Sequence, residues 1–94
     1  MAIETLPFDA AQYLDTAESQ AELLSDAFET GDPAYITAAL GVVARARGMT
    51  QVAKDAGVTR EALYKALSAE GDPKLSTLLG VVKALGVSLT VTPA

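Results

Sequence analysis

Glycines divide this chain into segments of a few helical turns, and that spacing is its strongest constraint. Gly31-Asp32-Pro33 combines a residue suited to a left-handed helix end, a helix N-cap and a first-turn proline. Gly48, Gly57 and Gly86 each close an apolar-patterned stretch, and the loop Ala69–Lys74 (AEGDPK) again supplies glycine, aspartate and proline. Between these stops, apolar residues recur every three or four positions, the period of a helix buried on one side. The spacing predicts helices over Ala17–Thr30, Pro33–Arg47, Gln51–Ala56, Arg60–Ser68 and Leu75–Leu85, with a short one over Ala10–Leu14. Their N-caps are read at Asp9, at Thr16 or Asp15, and at Asp32, Thr50 and Thr59.

Each helix has an expected core face. In order, these are Ala21, Leu24, Ala27 and Phe28; Tyr35, Ile36, Ala39, Leu40, Val43 and Ala46; Val52, Ala53 and Ala56; Ala62, Leu63, Ala66 and Leu67; and Leu75, Leu78, Leu79, Val82 and Leu85. Gly41 and Gly80 sit inside helices at a cost of roughly 1 kcal/mol each relative to alanine, which close helix packing explains. The tail alternates Val87, Leu89 and Val91 with Ser88, Thr90 and Thr92, the pattern of a half-buried strand over 87–92 stopped by Pro93. A lone strand needs a partner, and a second copy of the chain or another protein is the expected source.

A chain of 94 residues has room for one core, and the half of its residues that are apolar suffice to build it. There is no cysteine and no histidine, so disulfides, thiolate chemistry and a zinc or copper site are not expected. No apolar run approaches membrane-span length, and MAIETLPFDAA lacks the basic start of a secretory signal. The expectation is a cytoplasmic protein without cofactor or metal. It is not expected to be an enzyme: no carboxylate pair has a recognisable catalytic partner, and there is no phosphate-cradling glycine loop.

The net charge of −5 is unevenly spread. Residues 1–40 carry eight acids and no base; residues 41–94 carry seven bases and four acids, a local excess of +3. Such asymmetry suits two different partners, or simply a solvated acidic helix ahead of an ordinary domain.

Met49–Ser68 concentrates the functional signal. A small residue at Ala53, glycine at Gly57, a threonine cap at Thr59 and apolar residues at the crossing match the needs of a helix-turn-helix. An ordinary helical hairpin uses the same packing. In the second helix, Arg60, Glu61, Tyr64, Lys65 and Ser68 are left outside. As a recognition helix it would send Arg60 to guanine O6 and N7, with Glu61 accepting from cytosine N4 or holding Arg60. Tyr64 suits a phosphate or a thymine methyl, and Lys65 a phosphate. Thr50 and Gln51 start the preceding helix, where backbone N–H groups favour phosphate; Lys74, Ser76 and Thr77 start another. Seven bases neutralise few phosphates, so a homodimer reading two half-sites of double-stranded DNA about 34 Å apart is expected.

Nearly the whole chain resembles the addiction-module antidotes, antitoxins with a phage-repressor-like (Xre-type, HigA-like) helix-turn-helix domain. The likeness is carried by FDAAQYLDT and by GDPAYITAALGVVARARGMTQVAKDAGVTREALYKALSAEGDPKLSTLLGVVKALGVSLTV. It is most specific in TREALYKALS and GDPKLSTLLGVVKALG. The resemblance implies an all-α, lambda-repressor-like five-helix fold, with the helix-turn-helix domain over 32–94 and an acidic helical extension over 1–31 packed on it. It also implies a type II antitoxin that neutralises a small basic RelE/ParE-like toxin and represses its own operon. Gln51–Ala56 is short beside many phage repressors, which weakens the phosphate contacts expected there. Glu18, Glu22, Asp26 and Glu29 are then expected to meet the cationic toxin, with Leu89 and Val91 of the tail as a second contact to toxin or to a second copy. A stand-alone repressor, or an interaction module whose helix-turn-helix no longer binds DNA, are the other readings.

Overall fold

The structure, a computed structural model, describes residues 16–94; the helix expected over Ala10–Leu14 and its Asp9 cap lie outside them. The described residues form α1 (Ala17–Thr30), α2 (Pro33–Arg47), α3 (Met49–Ala56), α4 (Arg60–Ala66) and α5 (Leu75–Ala84). Three caps form as their residue types dictate. Thr16 accepts from Ser19 N–H, Asp32 from Ala34 N–H and Thr59 from Ala62 N–H. No helix among the described residues is long and apolar enough to cross a membrane.

The fold centres on α3, which packs against α2, α4 and α5, while α1 lies chiefly along α2. Leu40, Val43, Leu63, Val81 and Leu85 are the largest fully buried side chains. Met49, Val52 and Ala53 of α3 join them, with Leu24 and Ala27 from α1. Both glycines inside helices sit at close approaches. A Cβ on Gly80 would come within 3.1 Å of the Ala56 carbonyl oxygen of α3, and one on Gly41 within 3.3 Å of the Leu67 carbonyl oxygen.

The structure corrects the sequence reading at several points. The expected strand over 87–92 is absent: the segment is irregular, and no strand exists among the described residues. A strand is defined by its ladder partner, and these helices supply none. The expected Thr50 cap is not made, because α3 begins two residues earlier than expected, at Met49, with Gly48 in the cap position. Gly48 joins α2 directly to α3 at φ 108°, a backbone that side chains rarely adopt, so the buried Met49 takes the first helical position. Thr50 sits exposed in the first turn instead. Helix α4 stops at Ala66 rather than Ser68, whose hydroxyl donates to the Lys65 carbonyl oxygen at 2.8 Å.

Three helices also differ from the expected core face. Helix α5 buries Val81, Val82 and Leu85, leaving Leu75 68% and Leu79 48% exposed. In α1 and α4, Ala21 and Ala62 face solvent, and the polar Gln20 is buried.

A polar clamp that the sequence did not announce ties three helices together. Arg47, at the end of α2, donates through Nε to the Gln20 side chain of α1 and through Nη2 to the Leu85 carbonyl oxygen closing α5, both at 2.7 Å. The second bond satisfies one of the last carbonyls of α5. Replacing Arg47 with alanine should lower stability in urea by on the order of 1–3 kcal/mol, since the buried Gln20 and the helix end both lose a charged donor. Arg47→Lys should recover only part of this, because a single ammonium lacks the guanidinium fork.

Candidate nucleic-acid and partner surfaces

The α3–α4 unit presents the first surface. Helix α3 ends in two backbone bonds, Val58 N–H to the Ala53 carbonyl oxygen at 3.0 Å and Gly57 N–H to that of Lys54 at 3.2 Å. This six-to-one and five-to-two pair is a Schellman ending, and Gly57 supplies the left-handed residue it requires at φ 77°. The corner aims α4 away from α3. Leu63 is driven fully into the core, and Arg60, Glu61, Tyr64 and Lys65 remain outside.

These outward residues are partly organised. The Arg60 guanidinium lies 5.4 Å from the centre of the Tyr64 ring, and its Nη2 donates to the Tyr64 hydroxyl at a long 3.4 Å. The four-residue spacing of an arginine and a tyrosine on one helix is the signal that anticipates this pair. The hydrogen bond to Tyr64 raises the arginine's already high pKa further, so it stays charged. Lys65 and Lys74 line one open groove of about 380 Å³ between α4 and the start of α5, with Ala62, Ser68 and Thr77. Thr50, Thr59, Lys74 and Ser76 are exposed. Gln51 is exposed too, but its side-chain amide donates to Asp55 at 2.8 Å, on its own helix. The structure thus gathers Lys65 with Lys74 and Arg60 with Tyr64, while Gln51 is turned to a neighbour on α3.

The second surface is α1 and the tail. Glu18, Glu22, Asp26 and Glu29 are all exposed. Asp26 accepts the Tyr35 hydroxyl at 2.6 Å, and this hydrogen bond, aided by desolvation and the carboxylate's charge, raises the Tyr35 pKa. Residues 87–92 run beside α1, and the two walls enclose an open groove of about 570 Å³. Ala21, Leu24, Ser25, Phe28 and Glu29 form the helical wall. Leu89 is 43% and Val91 98% exposed on the other. Among the described residues, no cluster of three or more His, Cys, Asp or Glu is placed to hold a metal.

An all-helical protein with an outward basic-aromatic helix and a separate acidic face thus joins two unlike surfaces on one small core. The chain belongs to the family described as probable addiction module antidote protein, whose profile matches residues 4–93. It is also similar to an uncharacterized protein of Haemophilus influenzae, at 43% identity over 84 residues, covering 89% of this chain and 87% of that one. No solved structure matches.

Proposed function

We propose that this chain is a non-enzymatic, cytoplasmic antitoxin that neutralises a small basic RelE/ParE-like toxin and represses its own operon through a lambda-repressor-like helix-turn-helix. The observation that carries the DNA-binding part is the uncovered outer face of α4. Arg60, Glu61, Tyr64 and Lys65 stand on it, and the acidic α1 lies mainly along α2. Family membership supports the antidote part.

In this reading α4 enters the major groove. Arg60, steadied by the Tyr64 ring, meets a guanine edge, and Lys65 and Lys74 flank the groove where a phosphate would pass. Thr50, Gln51 and Thr59 sit where backbone phosphates would run. Glu61 screens for cytosine or holds Arg60. A homodimer doubles these contacts over two half-sites.

Binding to the chain's own promoter, titrated over several salt concentrations, tests this. Specific binding should weaken steeply with salt. Arg60→Ala should cost about 1–3 kcal/mol and relax the preference at one base pair, whereas Lys65→Ala should weaken all sequences alike and flatten the salt slope by about one. Equal affinity for promoter and random DNA would leave only the interaction role.

A further inference from the structure

The acidic surface and the apolar groove are contiguous. At 100° per residue, Glu18, Glu22 and Glu29 fall within about 40° of one another on α1, on the side next to Ser25. Ser25 and Glu29 themselves line the groove formed with residues 87–92. No lysine or arginine lies on either wall; the nearest in sequence are Arg45 and Lys83. The floor is apolar, from Leu24 and Phe28, and the tail leaves Leu89 and Val91 exposed against it. Among the described residues, positions 88–92 make no backbone–backbone hydrogen bond, so the tail's donors and acceptors stand open to a visiting chain.

We infer that this groove is where the toxin docks: it takes a segment whose apolar side chain fills the cleft over Phe28 while flanking lysines or arginines meet the Glu18–Glu22–Glu29 ridge. The inference rests on the antidote reading above and names the surface it uses. Charge complementarity selects a basic partner, and burial of the floor and of Leu89 supplies the apolar area that charge alone does not. The site lies on α1 and the tail, away from the outer face of α4, so one chain can hold a protein and a duplex on separate surfaces.

The test uses the full chain and, as probe, the purified basic product of the adjoining reading frame. Ser25→Arg and Val91→Asp alter exposed positions, so circular dichroism should show both variants folded. Ser25→Arg puts bulk and positive charge in the cleft and should weaken capture by calorimetry at least tenfold. Val91→Asp should weaken it less, and Glu18→Gln with Glu22→Gln and Glu29→Gln should flatten its salt dependence. Promoter binding by all of them should match the parent. If the parent captures the probe and Ser25→Arg captures it equally well, the groove assignment is overturned and the antidote reading survives. If the parent captures nothing, both fail together. If Val91→Asp instead converts a dimer to a monomer in sedimentation without touching capture, the groove belongs to self-association and the inference is wrong.

Discussion

Leu63→Ala should remove about 2–5 kcal/mol from the unfolding free energy, the largest loss expected from any single truncation in α4. Leu63 is the only fully buried side chain of that seven-residue helix. A helix this short has little stability of its own and is held by packing. The core around Leu63 includes Val52, Ala53 and Leu67, and their backbones are fixed by the Gly57 corner and the close crossings, so the cavity cannot collapse easily. Against a total of roughly 5–15 kcal/mol for a domain of this size, that loss is a large share. Urea denaturation measures it directly. A loss below about 1 kcal/mol would mean that α4 is not docked as described. The outward residues depend on the same anchor, so promoter binding should fall in step with the folded fraction.

Gly71→Ala should be nearly as costly, by about 1–3 kcal/mol or more, although alanine is ordinarily the better-tolerated residue. Gly71 does not need an unusual φ; it needs the absence of a side chain. A Cβ there would run into the Ala66 carbonyl oxygen, and would lie 2.6 Å from the Ala66 carbonyl carbon and 2.7 Å from the Lys65 carbonyl oxygen. These are main-chain atoms of the last turn of α4, so relief requires moving the helix end or the loop. Either shift displaces Lys65 from Lys74 across their shared groove. The variant should therefore show a lower melting temperature and a weaker, less salt-sensitive promoter complex than the parent. A Gly71→Ala protein that melts with the parent would contradict the close loop-on-helix contact.

The helix boundaries were legible because they rest on local chemistry. Thr16, Asp32 and Thr59 accept backbone N–H groups within three residues of themselves, and Gly57 needs only its own turn. Thr50 misled because a cap-type residue one position inside a helix looks the same in sequence as one at its edge. The distinction was made at a distance, by the demand that Met49 be buried. The rotated face of α5 has a similar origin. Leu75, Leu79, Val81 and Val82 are all apolar, so periodicity alone could not choose which arc faces α3; Gly80 chose it by letting that helix come close to Ala56. The Arg47 clamp links residues 27 and 38 positions apart, beyond the reach of any pattern read along the chain. The outward placement of Arg60, Glu61, Tyr64 and Lys65 followed from the stripe they leave over, while the groove beside α1 needed the tail's path, which no local rule fixes.

Helix α3 is gripped on three sides, by α2, α4 and α5, and meets α2 through the single residue Gly48. Little freedom is left for α4 to surrender when it settles on a target. The entropy lost on association is then mostly that of the long side chains at its surface, and the pairing of Arg60 with Tyr64 has already spent part of that. In the proposed DNA-binding role, a helix held in this way would discriminate between sequences through how long it stays rather than how often it arrives.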